Sequence, residues 1–106
     1  MKLLTKEILQ KLPPLYTNDG KPAEEVKIIV KFFSPIGAAT WYATEYDPET
    51  RTFFGYADLG NRHFAELGYF SLDELEAIRL PGGLGIERDL HFGYQHTLAE
   101  VMNNRI

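Results

Sequence analysis

Cysteine is absent from the 106 residues, which removes disulfides, thiolate metal ligands and cysteine nucleophiles together. That absence suits a reducing, cytoplasmic setting. No apolar run approaches the roughly 20 residues that a membrane-spanning helix requires. The N-terminal MKLLTKEILQKLPPLY also lacks the uninterrupted apolar stretch of a secretory leader. The expectation is a soluble, cytoplasmic chain with no membrane partner. A basic excess is missing too: 11 Lys plus Arg stand against 15 Asp plus Glu, for a net charge of −4. Duplex binding normally needs a basic face that displaces counterions, so general nucleic-acid affinity is disfavoured.

Other chemistries are excluded by what is scarce. The only serines are Ser34 and Ser71, and neither sits in the G-x-S-x-G setting of a serine hydrolase. The three histidines are His63, His91 and His96. The spacing of the last two lacks the helical HExxH arrangement, so neither a metal nor a cofactor is expected. Residues 81–85, PGGLG, follow a helix instead of opening one and lack the Lys-Ser/Thr of a phosphate loop, so they form a turn.

What the chain has in quantity is aromatic surface. Seven Phe, six Tyr and one Trp supply the large side chains of a single modest core. One domain spanning 1–106 is expected. Thr5 caps a helix over 6–11, closed by Pro13-Pro14. Residues 26–33, VKIIVKFF, alternate with Val26, Ile28, Val30 and Phe32 inward and Lys27 and Lys31 outward. Strands over about 40–46 and 52–58 flank the turn DPETR, with another over 67–70. Ser71 with Glu74 and Thr97 with Glu100 form capping boxes for two further short helices. Residues 86–92 alternate again, placing Arg88 among Ile86, Leu90 and Phe92, where a guanidinium needs a partner. The fold class is therefore α+β: a small antiparallel sheet of four or five strands with short flanking helices.

If the DPETR turn closes a regular hairpin, Tyr42 faces Tyr56 and Thr44 faces Phe54 on one side. Trp41, Ala43 and Glu45 then face Ala57, Gly55 and Phe53 on the other. Gly55 either leaves room for a ring or marks a bulge, and a one-residue slip would exchange the faces.

Taken together, KLLTKE, KLPPLY, WYATEYD, FFGY, ELGYFSLDELE and IERDLHF make the chain resemble, over nearly its whole length, the bacterial family catalogued as domain of unknown function 2958. The connection LGNRHFA departs from the family pattern. Members are small proteins of plasmids and conjugative elements, so the resemblance implies work in DNA transfer or in evading host defence and carries no catalytic residues with it.

The functional expectation is a non-enzymatic protein-binding or accessory factor of mobile elements, monomeric or weakly dimeric. Its contact surface is placed at Trp41, Tyr42, Glu45, Asp47, Tyr56, Asp58 and Glu66, with Glu49 adding to the acidic character. One alternative is a nucleic-acid module that stacks bases on Trp41, Tyr42, Phe54, Tyr56, Tyr69 and Tyr94 beside Lys27, Lys31 and Arg51. The other is a small enzyme whose carboxylates Glu45 and Glu66 work with Arg88. The bland reading of the same charges is ionic, with Arg88 or Arg79 held by Glu45 or Glu66.

Overall fold

The computed structural model describes residues 2–103, apart from the side chain of Arg62. Its centre is the expected hairpin: β2 (Thr40–Asp47) and β3 (Thr52–Asp58), both dense in β-branched and aromatic residues. The turn between them is held by Asp47, whose carboxylate accepts from the Glu49 N–H at 3.0 Å and the Thr50 hydroxyl at 2.9 Å. Around the hairpin lie β1 (Val30–Phe33), β4 (Glu66–Ser71) and the two-residue β5 (Glu87–Arg88). The strand order is β4-β3-β2-β1-β5, antiparallel throughout.

Three short helices follow their capping residues. α1 (Lys6–Lys11) begins where Thr5 Oγ1 accepts the Ile8 N–H, and α2 (Leu72–Ala77) where Ser71 Oγ accepts that of Glu74. α3 (Leu98–Met102) begins where Thr97 Oγ1 accepts the Glu100 N–H. The turn after α2 is closed by a bridge between Leu80 and Leu84. Gly82 and Gly83 take φ of +81° and +76° there, a backbone that favours glycine.

The two faces of the sheet are covered unequally. One face carries Val30, Phe32, Trp41, Ala43, Tyr46 and Phe53, and packs against Leu3, Leu4, Ile8 and Leu12 from the N-terminal arm and α1 and Leu72 and Leu75 from α2. Phe53 is the hub of this core, with ring centroids 5.4 Å from Phe32, 4.7 Å from Tyr46 and 5.2 Å from Phe70. Each such ring contributes about 1.5–3 kcal/mol on burial. The opposite face carries Tyr42 and Tyr56, covered by Val26, Ile28, Leu98 and Val101.

Two details depart from the regular pattern. Val26 and Ile28 are buried as the alternation requires, but the strand proper begins at Val30. The preceding residues leave the ladder and pair with the start of α3, through a Lys27–Thr97 bridge and a bond from Ile28 N–H to the His96 carbonyl. They therefore fill the second core while Val30 and Phe32 fill the first. The alternation over 86–92 likewise does not make a continuous strand. Only Glu87 and Arg88 pair with β1, and the chain turns away, leaving Leu90 exposed.

The hairpin register holds from Trp41–Ala57 to Ala43–Gly55 and then shifts, because Thr44 is an extra residue bulged out of the ladder. Beyond it Glu45 lies opposite Phe54 and Tyr46 opposite Phe53. Glu45 thereby moves from the face of Trp41 to the face of Tyr42, and Tyr46 enters the main core. The Thr44 hydroxyl, itself buried, donates to the Phe54 carbonyl at 3.1 Å. Gly55 is the counterpart of the bulge: a Cβ there would lie 1.8 Å from the Tyr42 carbonyl oxygen. No side chain fits.

Candidate functional site

The bulge sets up the chemistry of the second face. Glu45 is only 3% exposed, and its carboxylate is satisfied by backbone rather than by a cation. Oε1 accepts the Tyr16 N–H at 2.9 Å and Oε2 the Asn18 N–H at 2.7 Å. Such charge-assisted bonds stabilise a carboxylate removed from water. They also strap residues 14–20 across the end of the sheet, where Tyr16 holds φ of 74°, an uncommon backbone for a bulky residue.

The strap brings the Tyr16 hydroxyl close enough to that of Tyr69, on β4, to affect its titration. The interaction with Tyr16, then partial desolvation, then the nearby charges of Asp19 and Glu45 raise the Tyr69 phenol above its usual pKa. Tyr69 packs edge-on against Phe54, with centroids 5.1 Å apart, and Leu67 follows two residues earlier on the same side, opposite Tyr56. α3 covers Tyr42 and Tyr56 but stops short of this margin. Tyr16 is 63% exposed, Tyr69 57% and Leu67 41%. Phe64 and Leu59, in the connection that leads into β4, are also exposed. The result is an apolar margin along the last strand, with Asp19 near Tyr69, while Glu66, opposite Ala57, projects to the other face. Exposed contiguous apolar surface of this kind marks contact sites more often than isolated surface leucines do.

Against this geometry the expected site residues divide. Trp41, Tyr42 and Tyr56, expected on a contact surface, are instead buried: Trp41 belongs to the first core, Tyr42 and Tyr56 to the second, on opposite faces of the sheet. Large rings on central strands are drawn under the covering helices, and the acidic neighbours that suggested a surface follow a different alternation. Glu45 is buried and committed to the strap, and Asp47 to the hairpin turn. Asp58 Oδ1 accepts the Gly60 N–H at 3.0 Å. Glu66 stands exposed at the start of β4. What sequence reasoning missed as an ensemble is Tyr16, Leu67 and Tyr69. The signal available was the period-2 placing of Leu67 and Tyr69 on one side of β4; Tyr16 carried none.

The three residues of the enzymatic alternative do not meet. Glu66 lies on β4 and Arg88 on β5, the two outer strands of the sheet, while Glu45 is enclosed on β2. Arg88 finds its partner elsewhere, donating to the carbonyl of Lys2. Arg79 donates to the carbonyls of Glu76 and Ile78 at the end of α2. Neither ionic pairing expected for these arginines is the one that forms in these bonds. Arg88 does border a cleft of about 260 Å³ with Thr5, Glu7 and Tyr94. The Tyr94 hydroxyl donates to Glu7 at 2.7 Å, and Lys11 sits 4.6 Å over the Tyr94 ring. These groups satisfy one another. His96 contacts Glu100 at 3.1 Å and the ring of Phe92 at 4.5 Å, and among the described residues no three His, Cys, Asp or Glu side chains converge as a metal site would require. Lys31 is drawn between Asp89, at 3.5 Å, and the rings of Tyr42 and Phe92.

A profile of a family described as a protein of unknown function, DUF2958, matches residues 3–104. The chain belongs to this family. The match takes in every strand and helix, so the bulged hairpin and its strap lie within DUF2958 territory. No curated protein and no solved structure shows significant similarity to this DUF2958 member. No helix among its described residues is long and apolar enough to cross a membrane.

Proposed function

We propose that this protein is a non-enzymatic binding module, an accessory factor of mobile genetic elements, that engages a protein partner through the margin formed by Tyr16, Phe54, Leu67 and Tyr69. The single observation that carries the proposal is the unequal covering of the second face: Tyr42 and Tyr56 are sealed by α3, while Leu67 and Tyr69 on the adjoining strand are left half in water. Amphipathic tyrosines with an aliphatic neighbour supply large, rigid contact area, and Asp19 near Tyr69 adds a polar edge. The mobile-element setting rests on what the family resemblance implies, with a role in evading host defence as one form of it.

The nearby charges of Asp19 and Glu45 weigh against base stacking at Tyr69, since a phosphate would approach them. Lys31, one of the lysines expected beside the stacking aromatics, is engaged with Asp89. The test is affinity recovery of tagged protein from cells that carry a conjugative element, at low and moderate salt, beside a Leu67→Lys/Tyr69→Lys variant. A stoichiometric protein present with the wild type and lost with the variant is the expected result. Nucleic acid released by moderate salt, with no protein partner, would replace the proposal with the stacking alternative.

A further inference from the structure

The margin is also the edge of the sheet. β4 has β3 on one side only, and among the described residues no strand neighbours its outer rim of backbone N–H and C=O groups. Natural proteins guard such edges with lysines, prolines, bulges or very short strands, because an unguarded edge templates pairing with another chain. β5, at the other end, is guarded by its length of two residues. β4 runs for six, ELGYFS, with neither proline nor lysine and with Glu66 its one charge. Its pairing with β3 is regular along the whole strand.

Gly68 stands between two large apolar residues of β4, Leu67 and Tyr69. We propose that β4 pairs with β4 of a second copy of this chain, antiparallel, across a two-fold axis that passes between the two Gly68 residues perpendicular to the sheet, joining two five-stranded sheets into one. The proposal rests on the protein-contact role of this margin and names its occupant. An axis in that direction keeps each face continuous, so directly opposed residues must share a face. Centred on Gly68, the register sets Leu67 opposite Tyr69 of the partner copy, twice by symmetry, on the face where both are exposed. It sets Glu66 opposite Phe70, so no two carboxylates are opposed. Aromatic–aliphatic cross-strand pairs of this kind are the units that stabilise antiparallel ladders. The neighbouring symmetric registers are poorer. Centring on Leu67 puts Tyr69 against Ala65, and centring on Tyr69 puts Leu67 against Ser71. A foreign strand would need to match Leu67 and Tyr69 by its own sequence, whereas a second copy matches them by symmetry.

The register can be read by one thiol, because the chain has no cysteine. Gly68 does not adopt a positive φ, and a Cβ there meets no atom within 4 Å, so Gly68→Cys is compatible with the fold. Directly opposed residues of an antiparallel pair have Cα atoms about 4.5–5.5 Å apart, within the roughly 4.4–6.8 Å of a disulfide. Under mild oxidation, with the added oxidant accepting the two electrons of the paired thiols, Gly68→Cys is expected to form a covalent dimer at least about tenfold faster than Glu49→Cys on the hairpin turn. Sedimentation velocity of the unsubstituted protein should show a concentration-dependent dimer. Leu67→Lys/Tyr69→Lys should move its midpoint up at least about tenfold while thermal unfolding stays cooperative.

A protein monomeric up to roughly millimolar concentration overturns the proposal, as does a dimer in which Gly68→Cys cross-links no faster than Glu49→Cys. The two readings fail separately. A monomeric protein whose lysine variant still loses a captured partner refutes self-pairing and leaves the contact margin standing. A monomeric protein whose lysine variant captures the same partners as the wild type refutes both.

Discussion

Gly55 and Gly68 face each other across β3 and β4, and an alanine at either should have opposite consequences. At Gly55 the new Cβ would lie 1.8 Å from the Tyr42 carbonyl oxygen, 2.8 Å from its carbon and 3.0 Å from Ala43 Cα. All three are backbone atoms of the central strand and cannot rotate aside. Relief requires β2 and β3 to move apart by on the order of 1 Å at the bulge, which stretches the adjacent ladder bonds beyond useful length. Two such bonds at about 1 kcal/mol each, with the cost of leaving buried carbonyl and amide groups poorly paired, give a loss of about 3–5 kcal/mol. That is a large share of the roughly 5–15 kcal/mol available to a domain of this size.

At Gly68 the Cβ enters open space, and the reduced freedom of the unfolded chain makes alanine neutral or stabilising by up to about 1 kcal/mol. Urea unfolding followed through the fluorescence of Trp41, the only tryptophan and a buried one, measures both. The expected midpoints separate clearly, and the corresponding fall in Tm for Gly55→Ala exceeds about 12 °C. Equal midpoints, or a Gly55→Ala protein within about 1 kcal/mol of the wild type, would refute the bulge as the reason for glycine at this position.

Two further outcomes follow from named contacts. Glu45→Gln keeps the shape of the side chain but gives up its charge and one of its two acceptor oxygens. It should lose about 1–3 kcal/mol and speed amide exchange at Tyr16 and Asn18 while leaving β4 protected; unchanged exchange at those two amides would remove Glu45 as the anchor of the strap. The Glu100 carboxyl is held below its usual pKa first by its hydrogen bond with His96, with Thr97 adding to the effect against some desolvation. A folded pKa below the unfolded one means stability present above the ordinary carboxylate range and lost as pH falls through the lowered value. Glu100→Gln should flatten that acid limb in urea unfolding across the carboxylate range, and an unaltered slope would show that the pair contributes nothing.

Much of this molecule is decided locally. Thr5, Ser71 and Thr97 each stand three residues before the amide they cap, so short-range hydrogen bonding suffices to start all three helices. Strand alternation and the Asp47 turn likewise arise within a few residues, which is why an α+β fold with an antiparallel sheet is legible in the chain. The sequence also carried the reason for Gly55 as one of two options. What it did not decide is which option applies, because a bulge is a property of two paired strands. Thr44 leaves the ladder only when β2 is laid against β3, and that one displaced residue transfers Glu45 to the other face. The fate of the charged residues followed from the same dependence. Glu45 is satisfied by amides 27 and 29 positions away, and Arg88 by a carbonyl 86 positions away. Pairings at that distance are set by packing, not by periodicity. The contact margin is likewise a product of tertiary structure. Leu67 and Tyr69 have the same spacing as buried strand residues, and they remain in water because α3 ends before reaching them and, among the described residues, no strand lies beyond β4 in the sheet.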